Sequence, residues 1–179
     1  TLKGNLEYEL PEKSSNGEHR PALSQKDAHR WWSALMERDG ISQKALQILM
    51  LTASRGKEIR KMAWGQLEIF DDRKQQKDGY AGIWRRDVEI MKMRTRHEVP
   101  LTHYMLGVIK STGTSNGLVF PSPQSGKMLS ENALNKMMKD MHYADPQGGF
   151  FDIWSKKRAV SHGLRSTFRD WAGEHGLAH

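Results

Sequence analysis

Between residues 42 and 51 the chain carries Ala45, Leu46, Ile48, Leu49, Met50 and Leu51, apolar nearly all the way round a helix that Ser42 opens. A helix with no polar face has to be deeply buried, so this one constrains everything packed around it. It runs straight into Thr52-Ala53-Ser54-Arg55-Gly56-Lys57-Glu58, which brings a charged cluster to the end of the most enclosed element.

The remaining pattern is mostly helical. Ser24, with Asp27 three residues on, reads as the N-cap of a helix whose Ala28, Trp31, Trp32, Leu35 and Met36 recur at helical spacing until Gly40. A short third helix carries Arg55, Glu58, Ile59 and Met62. The period then changes: residues 64–70 alternate and read as extended, 71–79 as a charged turn, and 80–84, 88–91 and 97–101 as short strands of an antiparallel sheet, with Pro100 at a strand end. Thr102 and Ser130 read as caps of helices reaching Lys110 and His142. Residues 118–120 resemble a short strand, 145–149 a loop, and the last helix starts near His162 and runs towards Glu174. The fold class implied is mainly α with a small antiparallel three-stranded sheet, an α+β domain over residues 24–179. Residues 1–23, polar and carrying Pro11, Ser14-Ser15-Asn16-Gly17 and Pro21, read as a linker from a missing N-terminal part.

Charge directs attention to a polyanionic partner. Lys and Arg total 28 against 21 Asp and Glu, giving +7 and an isoelectric point near 9.7, the footprint of a nucleic-acid binder. The absence of Cys excludes thiol and zinc-finger chemistry and, with no signal peptide or long apolar run in these residues, favours a reducing, cytoplasmic setting with no membrane partner.

Two short constellations carry the chemistry. Arg55 offers a planar fork of donors that fits two phosphate oxygens, and Glu58, one helical turn on, can hold that fork in register; taken alone, Arg-x-x-Glu is equally a surface ion pair. His162 and Arg165, in His162-Gly163-Leu164-Arg165-Ser166-Thr167-Phe168-Arg169-Asp170-Trp171, stand at i and i+3 of a helix start, so that imidazole and guanidinium can approach one phosphate beside the positive helix end. Phe168, Trp171 and Ala172 on the same helix read as core. No metal site is assigned: His175 and His179 lack a carboxylate third.

The Thr-Ala-x-Arg-x-x-Glu and His-Gly-Leu-Arg patterns together, with the helix–strands–helices order, resemble the catalytic domain of tyrosine recombinases, in the phage and genomic-island integrase branch. The resemblance covers about residues 24–179 and implies that residues 1–23 lead from an N-terminal DNA-binding domain. It implies Arg55 and Arg165 as the phosphate clamp, Glu58 as its brace, and His162 as a partner to a phosphate oxygen or to the nucleophile's proton. Lys92, in Met91-Lys92-Met93-Arg94-Thr95-Arg96-His97-Glu98-Val99-Pro100-Leu101, is similar to the family's lysine in the turn between second and third strands, which protonates the leaving 5′ oxygen. Arg94 and Arg96 compete with it as DNA-binding groups of a basic hairpin tip. Leu177-Ala178-His179 resembles the Leu-x-His third motif, although it lies only 17 residues after His162; a terminal His without a role is the other reading.

The implied reaction is metal-free and cofactor-free transesterification of double-stranded DNA at attachment sites through a 3′-phosphotyrosyl link. The tyrosines present, Tyr8, Tyr80, Tyr104 and Tyr143, all precede His162, so the nucleophile is expected beyond His179 and the domain is expected to be incomplete and inactive alone. A free monomer and, for the full protein on DNA, a tetramer are expected. The alternatives are a non-catalytic DNA-binding remnant of an integrase, a type IB topoisomerase, and an RNA-binding basic domain.

Overall fold

The structure, a computed structural model, describes residues 20–70, 79–86 and 97–176. Its centre is the apolar helix anticipated above, α2 (Ile41–Thr52), whose Ala45, Leu46, Ile48 and Leu49 are wholly buried. It packs against α1 (Gln25–Met36), α3 (Gly56–Arg60), α4 (His103–Lys110), α5 (Glu131–Ala144) and α6 (Leu164–Glu174). Even Gln43 and Gln47 are buried on it, and the Gln47 side-chain oxygen accepts from the Tyr104 hydroxyl at 2.6 Å. The α2 helix starts one residue before Ser42, because Gly40, at φ 98°, takes the capping position with a conformation that L side chains rarely adopt.

The caps divide by geometry. Thr102 and Ser130 accept the backbone N–H groups of Met105 and Ala133, as N-caps should. Ser24 stands at the N-cap of α1 but its side chain makes no capping bond; its backbone N–H donates instead to the Phe151 carbonyl at 3.3 Å. Helix α1 ends at Met36, short of Gly40.

The sheet is antiparallel in the order β1 (Leu67–Ile69), β2 (Tyr80–Arg86), β3 (His97–Thr102). Three expectations about it change. Residues 64–66 form a 3-10 turn, the Gln66 side chain accepting from the Ala63 N–H at 3.2 Å, so only three of residues 64–70 are strand. Pro100 lies within β3, opposite Ile83. Among the described residues β3 is an edge strand, the position in a sheet where a proline is tolerated. Residues 118–120 contribute an isolated bridge, Leu118 with Ala63, in place of a strand. The expected strand over 88–91 lies outside the described residues.

A single core joins sheet and helices through Trp31, Leu46, Ile59, Trp84, Leu101 and Phe120, all buried. Trp171, expected in the core, is 40% exposed, and with Phe168 it edges an apolar groove of about 310 Å³ lined also by Trp32, Met50 and Leu51. Of the expected linker over 1–23, residues 20–23 are described, and Ala22 and Leu23 are buried in the domain. No helix among the described residues is long and apolar enough to cross a membrane.

Candidate functional site

Helix α2 ends with Ala53 in the left-handed region, at φ 49°, and the chain turns at once into α3 with Arg55 at its N-cap. Glu58 reaches back: its Oε2 accepts the Arg55 N–H at 2.8 Å and its Oε1 accepts the Arg55 guanidinium at 3.0 Å. Arg55 and Glu58 are thus joined as an exposed arm on a buried anchor: the Arg55 side chain is 48% exposed and that of Glu58 only 4%.

A second arginine meets the same carboxylate. Arg86, the last residue of β2, donates to Glu58 Oε2 at 2.5 Å and is itself 8% exposed. Burial pushes the Glu58 carboxyl up, but the Arg55 N–H, the Arg86 charge and the Arg55 side chain together bring it below its ordinary value. Arg86 was not singled out from the sequence, although a signal existed. Strand alternation puts it on the same face as buried Trp84, whereas Arg85 points outward to Glu68 and Glu98.

His162 sits on a 3-10 turn, Ser161–Gly163, that leads into α6, so helix α6 proper begins two residues after it. Ser161 fastens this turn to α5, its N–H and hydroxyl both donating to Asn135 Oδ1 at 3.1 and 2.9 Å. The Thr167 hydroxyl donates to the Leu23 carbonyl at 2.7 Å, and the Val160 N–H to that of Pro21 at 3.2 Å. His162 is exposed and Arg165 partly buried.

These groups share one electrostatic neighbourhood. Although His162 is exposed overall, partial desolvation by the surrounding protein, then the charges of Arg20, Arg165 and Arg55, lowers its imidazole below the ordinary value, with Glu131 opposing. Burial, then Arg55, Arg169 and Arg86, lowers the Arg165 guanidinium, with Glu58 opposing. Arg55, His162 and Arg165, distant in sequence, are thus within electrostatic reach of one another, and mutual repulsion among cations of this kind is relieved by a bound anion. The sequence reading missed Arg20 and Asn135 as well as Arg86. Lys92, Arg94 and Arg96 belong to the connection between β2 and β3, outside the described residues, as does His179. Among the described residues no three His, Asp or Glu side chains gather as metal ligands.

The sequence pattern of the phage integrase family matches residues 22–178. The chain belongs to the phage integrase family. Among its relatives, prophage integrase IntZ of Escherichia coli (strain K12) is 28% identical over 137 residues, an alignment covering 75% of this chain and 29% of that protein. The putative protein IntB of the same organism is 25% identical, covering 92% of this chain and 41% of the relative. The integrase chain thus spans less than half the length of either. Its fold is that of recombinase catalytic domains: XerH, solved bound to its difH substrate in a pre-cleavage complex, superimposes with a TM-score of 0.64 over 88% of this chain and 44% of that one, at 13% identity. XerA recombinase superimposes with a TM-score of 0.57 over 91% of this chain and 53% of its own, at 18% identity.

Proposed function

We propose that this integrase chain carries the phosphate clamp of a site-specific recombinase that breaks and rejoins duplex DNA at attachment sites by transesterification. The observations that carry the reading are the mutual electrostatic influence of Arg55, His162 and Arg165 and the hydrogen bonds by which Glu58 holds Arg55. A tyrosine hydroxyl attacks the scissile phosphorus, a 3′-phosphotyrosyl bond forms as the P–O5′ bond breaks, and the 5′ oxygen leaves with a proton supplied by Lys92. The 5′ hydroxyl of a recombining strand reverses the step, so the bond energy is retained.

Each residue's task follows from its chemistry. The Arg55 and Arg165 guanidiniums stabilise charge on the non-bridging oxygens of the pentavalent phosphorane, and removing either costs about 3–4 kcal/mol of transition-state stabilisation if it resembles other oxyanion donors. His162, whose imidazole is lowered below its ordinary value by burial and then by its cationic neighbours, is suited to accept the tyrosine proton or to hydrogen-bond the phosphate. None of the described tyrosines joins the clamp: Tyr104 is committed to Gln47, Tyr80 opens β2, and Tyr143 stands beside Arg158 and Lys139. On this reading the nucleophile lies downstream of the His162-x-x-Arg165 motif, which all four tyrosines of residues 1–179 precede, the chain free of DNA is a monomer, and the full protein on two duplexes is a tetramer.

The test extends the native reading frame beyond His179 and challenges the product with a nicked duplex that traps the covalent intermediate. Covalent capture that disappears in Arg165→Ala, with DNA binding retained, supports the reading. DNA binding without capture would leave a DNA-binding remnant in its place.

A further inference from the structure

One carboxylate serves two arginines at this site. Glu58 Oε1 is taken by the Arg55 side chain, while Oε2 accepts both the Arg55 N–H and the Arg86 side chain. Glu58 and Arg86 are nearly inaccessible, with side chains 4% and 7% exposed, whereas that of Arg55 is 48% exposed. The triad of Arg55, Glu58 and Arg86 carries two positive charges and one negative, a net of +1, and its open member is Arg55.

We infer that Arg86 is a positioning residue that offsets the Glu58 charge, so that Arg55 is held in place by the carboxylate without being neutralised by it. A carboxylate paired with Arg55 alone would form a closed, neutral ion pair and compete with phosphate for the same guanidinium. With Arg86 behind it, the carboxylate still orients Arg55 through two hydrogen bonds while its charge is shared with a second cation, leaving more of the Arg55 charge for the anion. The Arg86 guanidinium lies 5.1 Å over the Trp84 ring, fixed within the sheet, so it acts from beneath and through Glu58. Its charge extends as far as Arg165, the other half of the clamp. This inference rests on the phosphate-clamp reading above.

The experiment measures binding of a fluorescent 30-base-pair duplex to the 179-residue chain as salt is varied, for the native sequence and for Arg165→Ala, Arg86→Lys, Arg86→Met and Arg86→Met/Glu58→Gln. Arg86→Met is expected to weaken binding about three- to tenfold at low salt and to reduce the slope of log Kobs against log[salt] by about 0.9, the effect of losing one phosphate contact. Arg86→Lys, which keeps the charge, is expected to retain most of the affinity. In the double variant the opposing carboxylate charge is gone while the amide oxygen still accepts one of the two Arg55 bonds, so affinity is expected to rise at least threefold above that of Arg86→Met without reaching native, a partial rescue that a purely structural role for Arg86 would not produce. If Arg86→Met does not fold, the Lys and double variants still decide. Loss of binding in folded Arg86→Lys, no rescue in the double variant, or native binding by folded Arg86→Met would each overturn the inference. Arg165→Ala separates the two claims: native affinity in that variant would refute the clamp itself, whereas a clear loss there beside an unaffected Arg86→Met would refute only the role of Arg86.

Discussion

Gly163 and the Pro21 carbonyl are in backbone contact: a Cβ on Gly163 would lie 2.0 Å from that oxygen and 2.7 Å from the Ala22 Cα. The glycine between His162 and Leu164 is thus required by a close approach, since its φ of −67° is open to any residue. The segment it touches is tied in three further ways, by Val160 N–H to Pro21 O, Thr167 hydroxyl to Leu23 O, and Ala22 N–H to Asp152 Oδ2 at 2.9 Å. Residues 21–23 therefore help to hold the turn that presents His162 and Arg165.

Gly163→Ala tests this seating. Backbone atoms cannot rotate away as a side chain can, so the methyl group must displace residues 21–22 or the turn. Overpacking of this kind costs about 1–3 kcal/mol or more. Thermal unfolding is expected to show Tm lowered by several degrees, with duplex binding weakened as the turn shifts; an unchanged Tm would mean that the segment is not seated there.

His162 provides a pH test. Its folded-state pKa is depressed, by burial first and then by Arg20, Arg165 and Arg55, so between that value and the ordinary 6.5 the unfolded chain binds more protons than the folded one. Stability from this group therefore rises with pH through that window, is level above it, and is lowest once His162 is charged in both states. An NMR titration of the imidazole should give a midpoint below 6.5 that moves up in Arg165→Ala and again when duplex DNA adds phosphate charge. A midpoint indifferent to both would remove His162 from the site.

Carboxylates set the acid limb. Asp145 and Asp152 are pushed up by burial but brought below their ordinary values, Asp145 chiefly by Arg30 and the Gly149 N–H, Asp152 by the N–H groups of Ser155 and Ala22; Glu58 behaves likewise. A depressed folded-state pKa contributes stability that is present above the unfolded value and lost as pH falls towards the folded one. Urea midpoints are expected to decline gently once pH drops below 6.5, as His162 requires, and to fall steeply below about 4 as these carboxylates protonate. Asp152→Ala, which strips partners from three backbone N–H groups, should cost about 2–4 kcal/mol at neutral pH and flatten the acid limb. A variant as stable as native at pH 7 would contradict the buried network.

The two cap serines should separate cleanly. Ser130→Ala removes a bond to the Ala133 N–H at 3.1 Å and should cost about 1 kcal/mol. Ser24→Ala removes no capping bond and should leave the urea midpoint almost unmoved; equal effects at both positions would contradict the geometry.

The sequence by itself determined what is local. The apolar circumference of α2 declared its burial, the hydroxyls of Thr102 and Ser130 declared two helix starts, and Arg55 with Glu58 three residues on declared a brace, because each depends on spacings within a helical turn or two. The pairing of Arg-x-x-Glu with His-x-x-Arg also pointed to the family, since residue type alone selects groups able to grip a phosphate. Only the tertiary structure decided what stands between them. The buried place of Arg86 depends on the register of β2 against β3, that of Asn135 on how α5 meets the turn before α6, and the seating of residues 21–23 on contacts across more than a hundred residues, as from Ala22 to Asp152. Pro100 read as a strand end because a proline lacks an N–H, yet it lies inside β3, which is an edge strand among the described residues. Trp171 read as core from its spacing, yet no element covers it among the described residues, and its ring stands at the rim of a groove. Helical period states which side chains share a face; what that face meets is fixed by the packing of distant segments.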